Sequence, residues 1–115
     1  MIKKIKGNIF NTNCEAIVNP VNCMGIMGKG LALEFKLLYP TVMDKYLKFC
    51  ENKELEIGKI AIIKEENKKI ILFPTKTNYS LPSKMEYIEK GLLKIKECYK
   101  EKGIKSIAFP QIGSG

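Results

Sequence analysis

Short apolar runs recur along the chain of 115 residues and alternate with longer stretches in which apolar and polar residues mix. Five of the runs have the length and composition of buried strands, at 2–5, 16–19, 59–64, 69–73 and 106–109. The third and fourth runs flank a short polar segment, and this arrangement predicts a β-hairpin.

The mixed stretches place apolar residues three or four positions apart and predict three helices. The first covers 29–38 and ends before Pro40, which cannot continue a helix. Thr41 is the predicted N-cap of the second helix, which ends near residue 53. The third helix starts at the capping box Ser83-Lys-Met-Glu86 and ends at Gly103. Its predicted apolar face consists of Met85, Ile88, Leu92, Ile95 and Tyr99.

This order of strands and helices predicts one domain, residues 1–115, with an α/β fold and a partly parallel sheet. Ligands of such sheets bind at the carboxyl ends of the strands. Polar or glycine-rich loops follow three of the predicted strands, at 19–30, 74–82 and 110–115. We expect these three loops to form a single site.

The loop after the second strand contains Gly25, Gly28, Lys29 and Gly30 and runs directly into the first helix. Exposed backbone N–H groups and a helix N-terminus favour bound phosphate, and glycine lets a diphosphate approach the backbone. A tight turn without a ligand is the alternative. A P-loop is excluded, because the spacing is GxxGKG and no Ser or Thr follows the lysine to hold magnesium.

The charge balance indicates a polyanionic partner. Lys plus Arg number 20 against 12 Asp plus Glu, which gives a net charge of +8. This charge favours nucleic acid or a diphosphate ligand, although lysines on solvated faces explain it equally well, and they are spread along the chain. The absence of histidine excludes Ser-His-Asp and Cys-His catalysis.

The cysteines indicate a reducing compartment, and the hydropathy pattern predicts no membrane segment. Cys14, Cys23, Cys50 and Cys98 form no CxxC pair, so free thiols are favoured over a zinc site. No apolar run is long enough to cross a membrane, and the N-terminus lacks the pattern of a signal peptide. We therefore expect a cytoplasmic protein without membrane attachment, metal or cofactor.

Five motifs span nearly the whole chain: Gly7-Asn8-Ile9, Val18-Asn19-Pro-Val-Asn22-Cys, Met27-Gly28-Lys29-Gly30-Leu-Ala, Phe73-Pro74-Thr75-Lys76 and the terminal Pro-Gln-Ile-Gly-Ser-Gly. In this order they resemble the macro domain family of ADP-ribose-binding modules. Within the family the chain is most similar to the DarG-like branch of DNA ADP-ribosyl glycohydrolase antitoxins, which is related to the terminal ADP-ribose protein glycohydrolases. The resemblance implies a three-layer α/β/α sandwich with a six-stranded mixed sheet and a cleft for ADP-ribose.

The resemblance also implies contacts at the two ends of the ligand. Asn8 would accept a hydrogen bond from the adenine amino group, and Ile9 would place its backbone beside the adenine ring. Asn22 would contact the distal ribose and take part in catalysis. A turn residue that bonds to its own backbone is the alternative for Asn22.

The diphosphate would lie between two loops in such a domain. The first loop would consist of Met27, Gly28, Lys29 and Gly30, and the second would start with Gly113, Ser114 and Gly115. Lys29 could contact phosphate through its charge or be a solvated lysine in the first turn of a helix. Thr75 would line the site beside Lys76.

Lys76 matches the lysine that this branch uses to remove ADP-ribose. As a neutral amine it could attack the anomeric carbon of the distal ribose, expel the leaving base or carboxylate, and form an open-chain Schiff base that water cleaves. Burial or neighbouring cations favour the neutral amine, whereas a bound diphosphate opposes it. A charged Lys76 could instead stabilise charge on the leaving group.

Three functions are consistent with these features. The first is removal of ADP-ribose from DNA, with a cognate ADP-ribosyltransferase toxin as partner and ADP-ribosylated protein as the alternative substrate. The second is binding of ADP-ribose without turnover, and the third is binding of nucleic acid independently of ADP-ribose. Macro domains continue past the second glycine loop with a helix and a strand, so we expect a macro domain that lacks this C-terminal part.

Overall fold

The computed structural model describes residues 2–4, 10, 13–26, 30–65, 67–77 and 84–110, with the backbone alone at 2–4 and 30–32. The strands are β1 (Ile2–Lys4), β2 (Ala16–Asn22), β3 (Ala61–Lys64), β4 (Lys69–Lys76) and β5 (Ile107–Phe109). The helices are α1 (Gly30–Leu38), α2 (Pro40–Glu51) and α3 (Met85–Cys98). Every strand and helix that the hydrophobic pattern predicts therefore has a counterpart in the fold.

The strands form one mixed sheet in the order β1-β5-β2-β4-β3. β1, β5, β2 and β4 are parallel, and β3 is antiparallel to β4, which confirms the predicted hairpin. The described residues thus form five strands, where the resemblance to macro domains implies six. β2 and β4 both extend three residues beyond their predicted ends, because mutual pairing keeps the chain extended through Pro20 and Pro74.

Helices cover both faces of the sheet and give the molecule three layers. On one face, Phe35 of α1 and Tyr46 of α2 share a buried cluster with Ile17. On the other face, Ile95 of α3 shares a second buried cluster with Phe73. This arrangement confirms the predicted α/β/α sandwich.

A single proline ends α1 and begins α2. α1 stops at Leu38, Tyr39 is the N-cap of α2, and Pro40 occupies the first turn, where its missing N–H costs nothing. The prediction of Thr41 as the N-cap is therefore wrong. Thr41 lies inside α2, and its hydroxyl donates to Oε1 of Glu65 at 2.7 Å, which ties α2 to the end of β3.

α3 begins one residue later than the capping box predicts. Its N-cap is Lys84, in an extended conformation, and Met85 is the first helical residue. Ser83, the predicted cap, lies outside the described residues. The helix therefore starts within the usual one-residue uncertainty of a boundary prediction.

A glycine sets the distance between α3 and the sheet. A Cβ built on Gly91 would lie 2.4 Å from the Phe73 ring, so the ring occupies the place of a side chain at this position. Gly91 and Ile95 accordingly lie on the buried face of α3. The predicted face is wrong at Met85 and Leu92, which are 67% and 38% exposed.

The connections bring three strand ends to one edge of the sheet. From β2 the chain passes through α1 and α2 on one face to reach β3 and β4. From β4 it returns through α3 on the other face, past β2, to β5. The carboxyl ends of β5, β2 and β4 therefore lie side by side, as a site formed by the loops that follow them requires.

The opposite edge of the sheet is held by Glu15. Its Oε1 accepts a hydrogen bond from Nζ of Lys69 at 2.8 Å, and its Oε2 accepts one from the backbone N of Lys105 at 2.9 Å. The first of these bonds contributes most to holding the pKa of Glu15 below its usual value. The contact therefore stabilises the fold at neutral pH, and this contribution is lost as the pH falls through the lowered pKa.

Replacing Gly91 by alanine tests whether its close approach to Phe73 supports the fold. We expect Gly91→Ala to lower the free energy of unfolding by about 1–3 kcal/mol, the usual cost of overpacking a core. This loss opposes the gain of about 1 kcal/mol that alanine brings to a helix over glycine. Urea unfolding measures the difference, with Leu93→Ala on the exposed side of α3 as control. A Gly91→Ala variant as stable as the wild type would show that Phe73 moves aside without cost.

Candidate functional site

The carboxyl ends of β2 and β4 are joined through their backbones. Asn22 pairs with Lys76 in the parallel ladder, and N of Cys23 donates to the Lys76 carbonyl at 3.1 Å. The ladder therefore brings together the two residues that the sequence predicts as catalytic.

A bulge interrupts the ladder at this point. Val21 pairs with Pro74 and Asn22 pairs with Lys76, so Thr75 is the extra residue of β4. Bulges redirect side chains and recur beside active sites. Thr75 is buried next to Lys76, which is half-buried.

Asn22 organises the loop that follows β2. Its Oδ1 accepts hydrogen bonds from N of Met24 at 2.9 Å and from N of Ile26 at 3.4 Å, and its Nδ2 donates to the carbonyl of Ile26 at 2.9 Å. The side chain thus closes a turn on its own backbone, as the alternative interpretation of Asn22 predicts. The amide group has two N–H donors, and the bond to Ile26 uses one of them.

The hydroxyl of Tyr46 on α2 holds Asn22 in position. It lies 2.7 Å from Oδ1 and 2.8 Å from the backbone carbonyl of Asn22, and Tyr46 is completely buried between α2 and the sheet. Burial raises the pKa of Tyr46 well above its usual value, so the hydroxyl remains a hydrogen-bond donor at neutral pH. The sequence predicts Tyr46 as a core residue only. The missed signal is that a buried tyrosine hydroxyl needs a partner.

The same loop requires glycine at position 25. Gly25 has a φ of 85°, a region that other residues rarely adopt, and a Cβ there would approach Cδ2 of Leu47 to 3.0 Å. The loop therefore packs directly on α2. Its other apolar residues, Met24 and Ile26, have exposed side chains beside Asn22.

Two thiols near this loop are held in the protonated form. Burial, assisted by the nearby Cys50 and Glu56, raises the pKa of Cys23 to about 11, and burial also raises the pKa of Cys50. Only a thiolate is an effective nucleophile, so neither cysteine is activated at neutral pH. In the parts of the chain that the structure describes, no group of His, Cys, Asp and Glu is arranged to hold a metal ion.

Eight of the predicted ligand contacts lie outside the described residues, and their positions remain predictions. They are Asn8, Ile9, Met27, Gly28, Lys29, Gly113, Ser114 and Gly115. Gly30 is described as the first residue of α1. The structure thus places Asn22, Gly30, Thr75 and Lys76 among the predicted site residues.

A family model for the macro domain matches residues 18–115, which include the joined strand ends and their loops. This chain belongs to the macro domain family. The solved macrodomain of Thermus aquaticus DarG has a TM-score of 0.92 and 39% identity to it, covering all of this chain and 79% of that structure. The macro domain fold and the similarity to the DarG branch are therefore confirmed.

Two further relatives carry informative names. A Mycobacterium tuberculosis protein, 41% identical over the whole of this chain and 34% of its own length, is named DNA ADP-ribosyl glycohydrolase. The solved structure of Thermosipho africanus DarTG in complex with ADP-ribose has a TM-score of 0.93 and 36% identity, covering 99% of this macro domain and 34% of that chain. This macro domain spans about a third of the length of the curated relatives that it matches.

Removing the hydroxyl of Tyr46 tests whether it holds Asn22 in position. Tyr46→Phe keeps the buried ring but takes a donor from Oδ1 and from the carbonyl of Asn22. We expect the free energy of unfolding to fall by about 1–2 kcal/mol, the cost of a lost buried hydrogen bond. We also expect faster amide hydrogen exchange at Met24 and Ile26, because their acceptor is no longer held in place.

Tyr99→Phe, on the opposite layer, is the control for this substitution. It should leave the exchange of the loop amides unchanged. Unaltered exchange at Met24 and Ile26 in Tyr46→Phe would contradict the positioning role of the Tyr46 hydroxyl.

Proposed function

We propose that this macro domain removes ADP-ribose from modified DNA by hydrolysis. The observation that supports this most is the pairing of Asn22 with Lys76, because it brings a ribose-binding amide and a primary amine to one edge of the sheet. The relatives named DNA ADP-ribosyl glycohydrolase favour DNA as the carrier of the ADP-ribose. The net charge of +8 favours the same polyanionic substrate.

Lys76 is the proposed nucleophile. Its neutral Nζ attacks the anomeric carbon of the distal ribose while the bond from that carbon to the DNA base breaks, and the leaving base takes one proton from the attacking amine. The remaining N–H proton of the amine moves to the ring oxygen as the ribose ring opens, which gives a Schiff base. Water adds to the Schiff base and releases ADP-ribose, and Lys76 returns to the free amine.

Asn22 is the proposed ribose-binding residue and catalytic partner. The donors on its Oδ1 fix the orientation of the carboxamide, so Nδ2 always faces the same direction. The Nδ2 hydrogen that is not bonded to Ile26 can donate to a hydroxyl of the distal ribose. A donor held in place before the ligand arrives loses little entropy on binding.

The remaining contacts belong to the same proposal. Asn8 and Ile9 would bind the adenine, and the backbones of the two glycine loops would bind the diphosphate, together with the N-terminus of α1 at Gly30. Thr75 would place its backbone beside the distal ribose. No metal or cofactor takes part in this reaction.

The proposed location and partner of the protein follow from the proposed substrate. We place the protein in the cytoplasm, where DNA is accessible, with an ADP-ribosyltransferase that modifies DNA as its partner. A relative from Thermosipho africanus, named as a fusion of DNA ADP-ribosyl transferase and DNA ADP-ribosyl glycohydrolase, supports this pairing. In the described part of the chain, none of the helices has the length and hydropathy needed to span a membrane.

One observation favours binding without turnover as a second candidate. Most of the hydrogen-bonding capacity of Asn22 serves its own loop, which suits a rigid recognition site. Tight binding of ADP-ribose without release from DNA or from ADP-ribosylated protein would support this candidate. Release from protein and not from DNA would change the proposed substrate class.

Removing the amine of Lys76 tests the proposed hydrolysis. We expect Lys76→Ala to slow the release of ADP-ribose from modified DNA by about 10²–10⁴-fold, the range for loss of a single catalytic group. Chromatography of the released ADP-ribose measures the rate. Lys64→Ala, which removes an equal charge from an exposed position on β3, is the control and should retain activity.

Two further measurements separate the possible roles of Lys76. Lys76→Arg keeps the charge and loses the nucleophile, so it should be as slow as Lys76→Ala if a Schiff base forms. Borohydride should then reduce the Schiff base in the wild type and leave a stable adduct on Lys76, detectable by mass spectrometry. An active Lys76→Arg variant would assign electrostatic stabilisation instead, and an active Lys76→Ala variant would contradict both roles.

A further inference from the structure

Three exposed apolar side chains lie together around the loop that follows β2. Met24, Ile26 and Leu47 are 48%, 40% and 37% exposed. Gly25 allows this grouping, because Cδ2 of Leu47 packs against the backbone of Gly25, between Met24 and Ile26. Single exposed apolar residues are ordinary, whereas a group of them beside a candidate site indicates a binding surface. We call these three side chains the apolar patch.

The backbone that carries the apolar patch is fixed. Oδ1 of Asn22 accepts hydrogen bonds from N of Met24 at 2.9 Å and from N of Ile26 at 3.4 Å. Leu47 follows Tyr46 on α2, and the buried hydroxyl of Tyr46 is bonded to Asn22. The patch is therefore held at the surface by the same buried contacts that fix Asn22, and its side chains cannot turn inward to join the core.

The apolar patch also lies next to the bond that the proposed reaction breaks. Cys23 is bonded through its backbone N to the carbonyl of Lys76 at 3.1 Å, and Met24 is the next residue of the loop. The proposed reaction places the anomeric carbon where Nζ of Lys76 can attack it and where Asn22 can bond the ribose. Because the DNA base is joined directly to that carbon, it lies at these strand ends, beside the loop that carries the patch.

The size and chemistry of the apolar patch fit a DNA base. Enzymes that act on a base take it from a single strand or extrude it from the duplex, and they pack it against apolar or aromatic side chains. Every base offers a flat π-face for such packing, and thymine adds a methyl group. A stable protein interface buries about 800 Å² on each partner, which needs roughly 20 residues a side and far exceeds three side chains.

We propose that the apolar patch receives the DNA base that carries ADP-ribose, and that Met24 and Ile26 determine specificity for DNA. This inference rests on the proposed function, because it takes modified DNA as the substrate. Packing on the patch holds the base away from its neighbours in the DNA while Lys76 attacks the anomeric carbon. An ADP-ribosylated carboxylate side chain of a protein offers no flat apolar face, so the patch strengthens binding of the DNA substrate alone.

Replacing the two loop side chains of the patch tests this inference. For the double variant Met24→Ser with Ile26→Ser we expect the KM for an ADP-ribosylated single-stranded oligonucleotide to rise about tenfold, the usual effect of losing the packing of one base. The value of kcat should be unchanged, because this packing is equal in the ground state and the transition state. Calorimetry should show unchanged affinity for free ADP-ribose, which has no base at its distal ribose.

Two control variants separate loss of the apolar surface from damage to the loop. Met24→Leu with Ile26→Val keeps an apolar surface and should retain the KM of the wild type. Leu93→Ser removes an apolar side chain that is 58% exposed on the opposite layer, and it should also retain this KM.

The possible results distinguish this inference from the proposed function. An unchanged KM for the oligonucleotide in the double serine variant would overturn the inference and leave the hydrolysis standing. An equal loss of affinity for free ADP-ribose would also overturn it, because the patch would then support the ADP-ribose site itself. A wild type that releases no ADP-ribose from modified DNA would overturn the proposed function, and this inference with it.

Discussion

The parallel pairing of β2 with β4 is the constraint on which the rest of the structure depends. It runs unbroken from Ala16 opposite Lys69 to Val21 opposite Pro74, and it ends in a bulge that sets Asn22 opposite Lys76. Both strands are buried along nearly their whole length, so neither can shift register without moving apolar residues out of the core. The position of the candidate catalytic lysine relative to the candidate ribose-binding amide is therefore fixed by the core of the protein.

Buried residues of the core also fix the conformation of the loop after β2. Tyr46 donates to Asn22 from the buried face of α2, and Asn22 in turn bonds to the backbone at Met24 and Ile26. Gly25 lets the loop lie against α2. A site built in this way is organised before the ligand binds, which lowers the entropic cost of binding.

Local sequence signals predict the order and type of the elements, because the hydrophobic period differs clearly between strands and helices. They fail where tertiary contacts outweigh local preference. Pro40 and Thr41 suggest a cap at Thr41, yet the helix begins at the proline. The apolar face of α3 is misplaced because Gly91, which no hydrophobic pattern marks, provides its closest contact with the sheet.

The residues of the candidate site likewise include some that the sequence predicts and some that it misses. Motif resemblance predicts Asn22 and Lys76, and the ladder places them together. Tyr46 is missed as a functional residue, because its role depends on burial and on a hydrogen bond between distant parts of the chain. A tyrosine on the inner face of a predicted helix is the sequence signal that points to such a residue.

The central claim is that ADP-ribose binds at the joined carboxyl ends of β2 and β4. Amide hydrogen exchange of the wild type with and without ADP-ribose tests it most directly. The claim predicts that protection rises at Cys23–Ile26 and at Lys76–Thr77, while the opposite edge of the sheet at Glu15 and Lys105 is unchanged. Protection confined to that opposite edge or to the exposed side of α3 would contradict it.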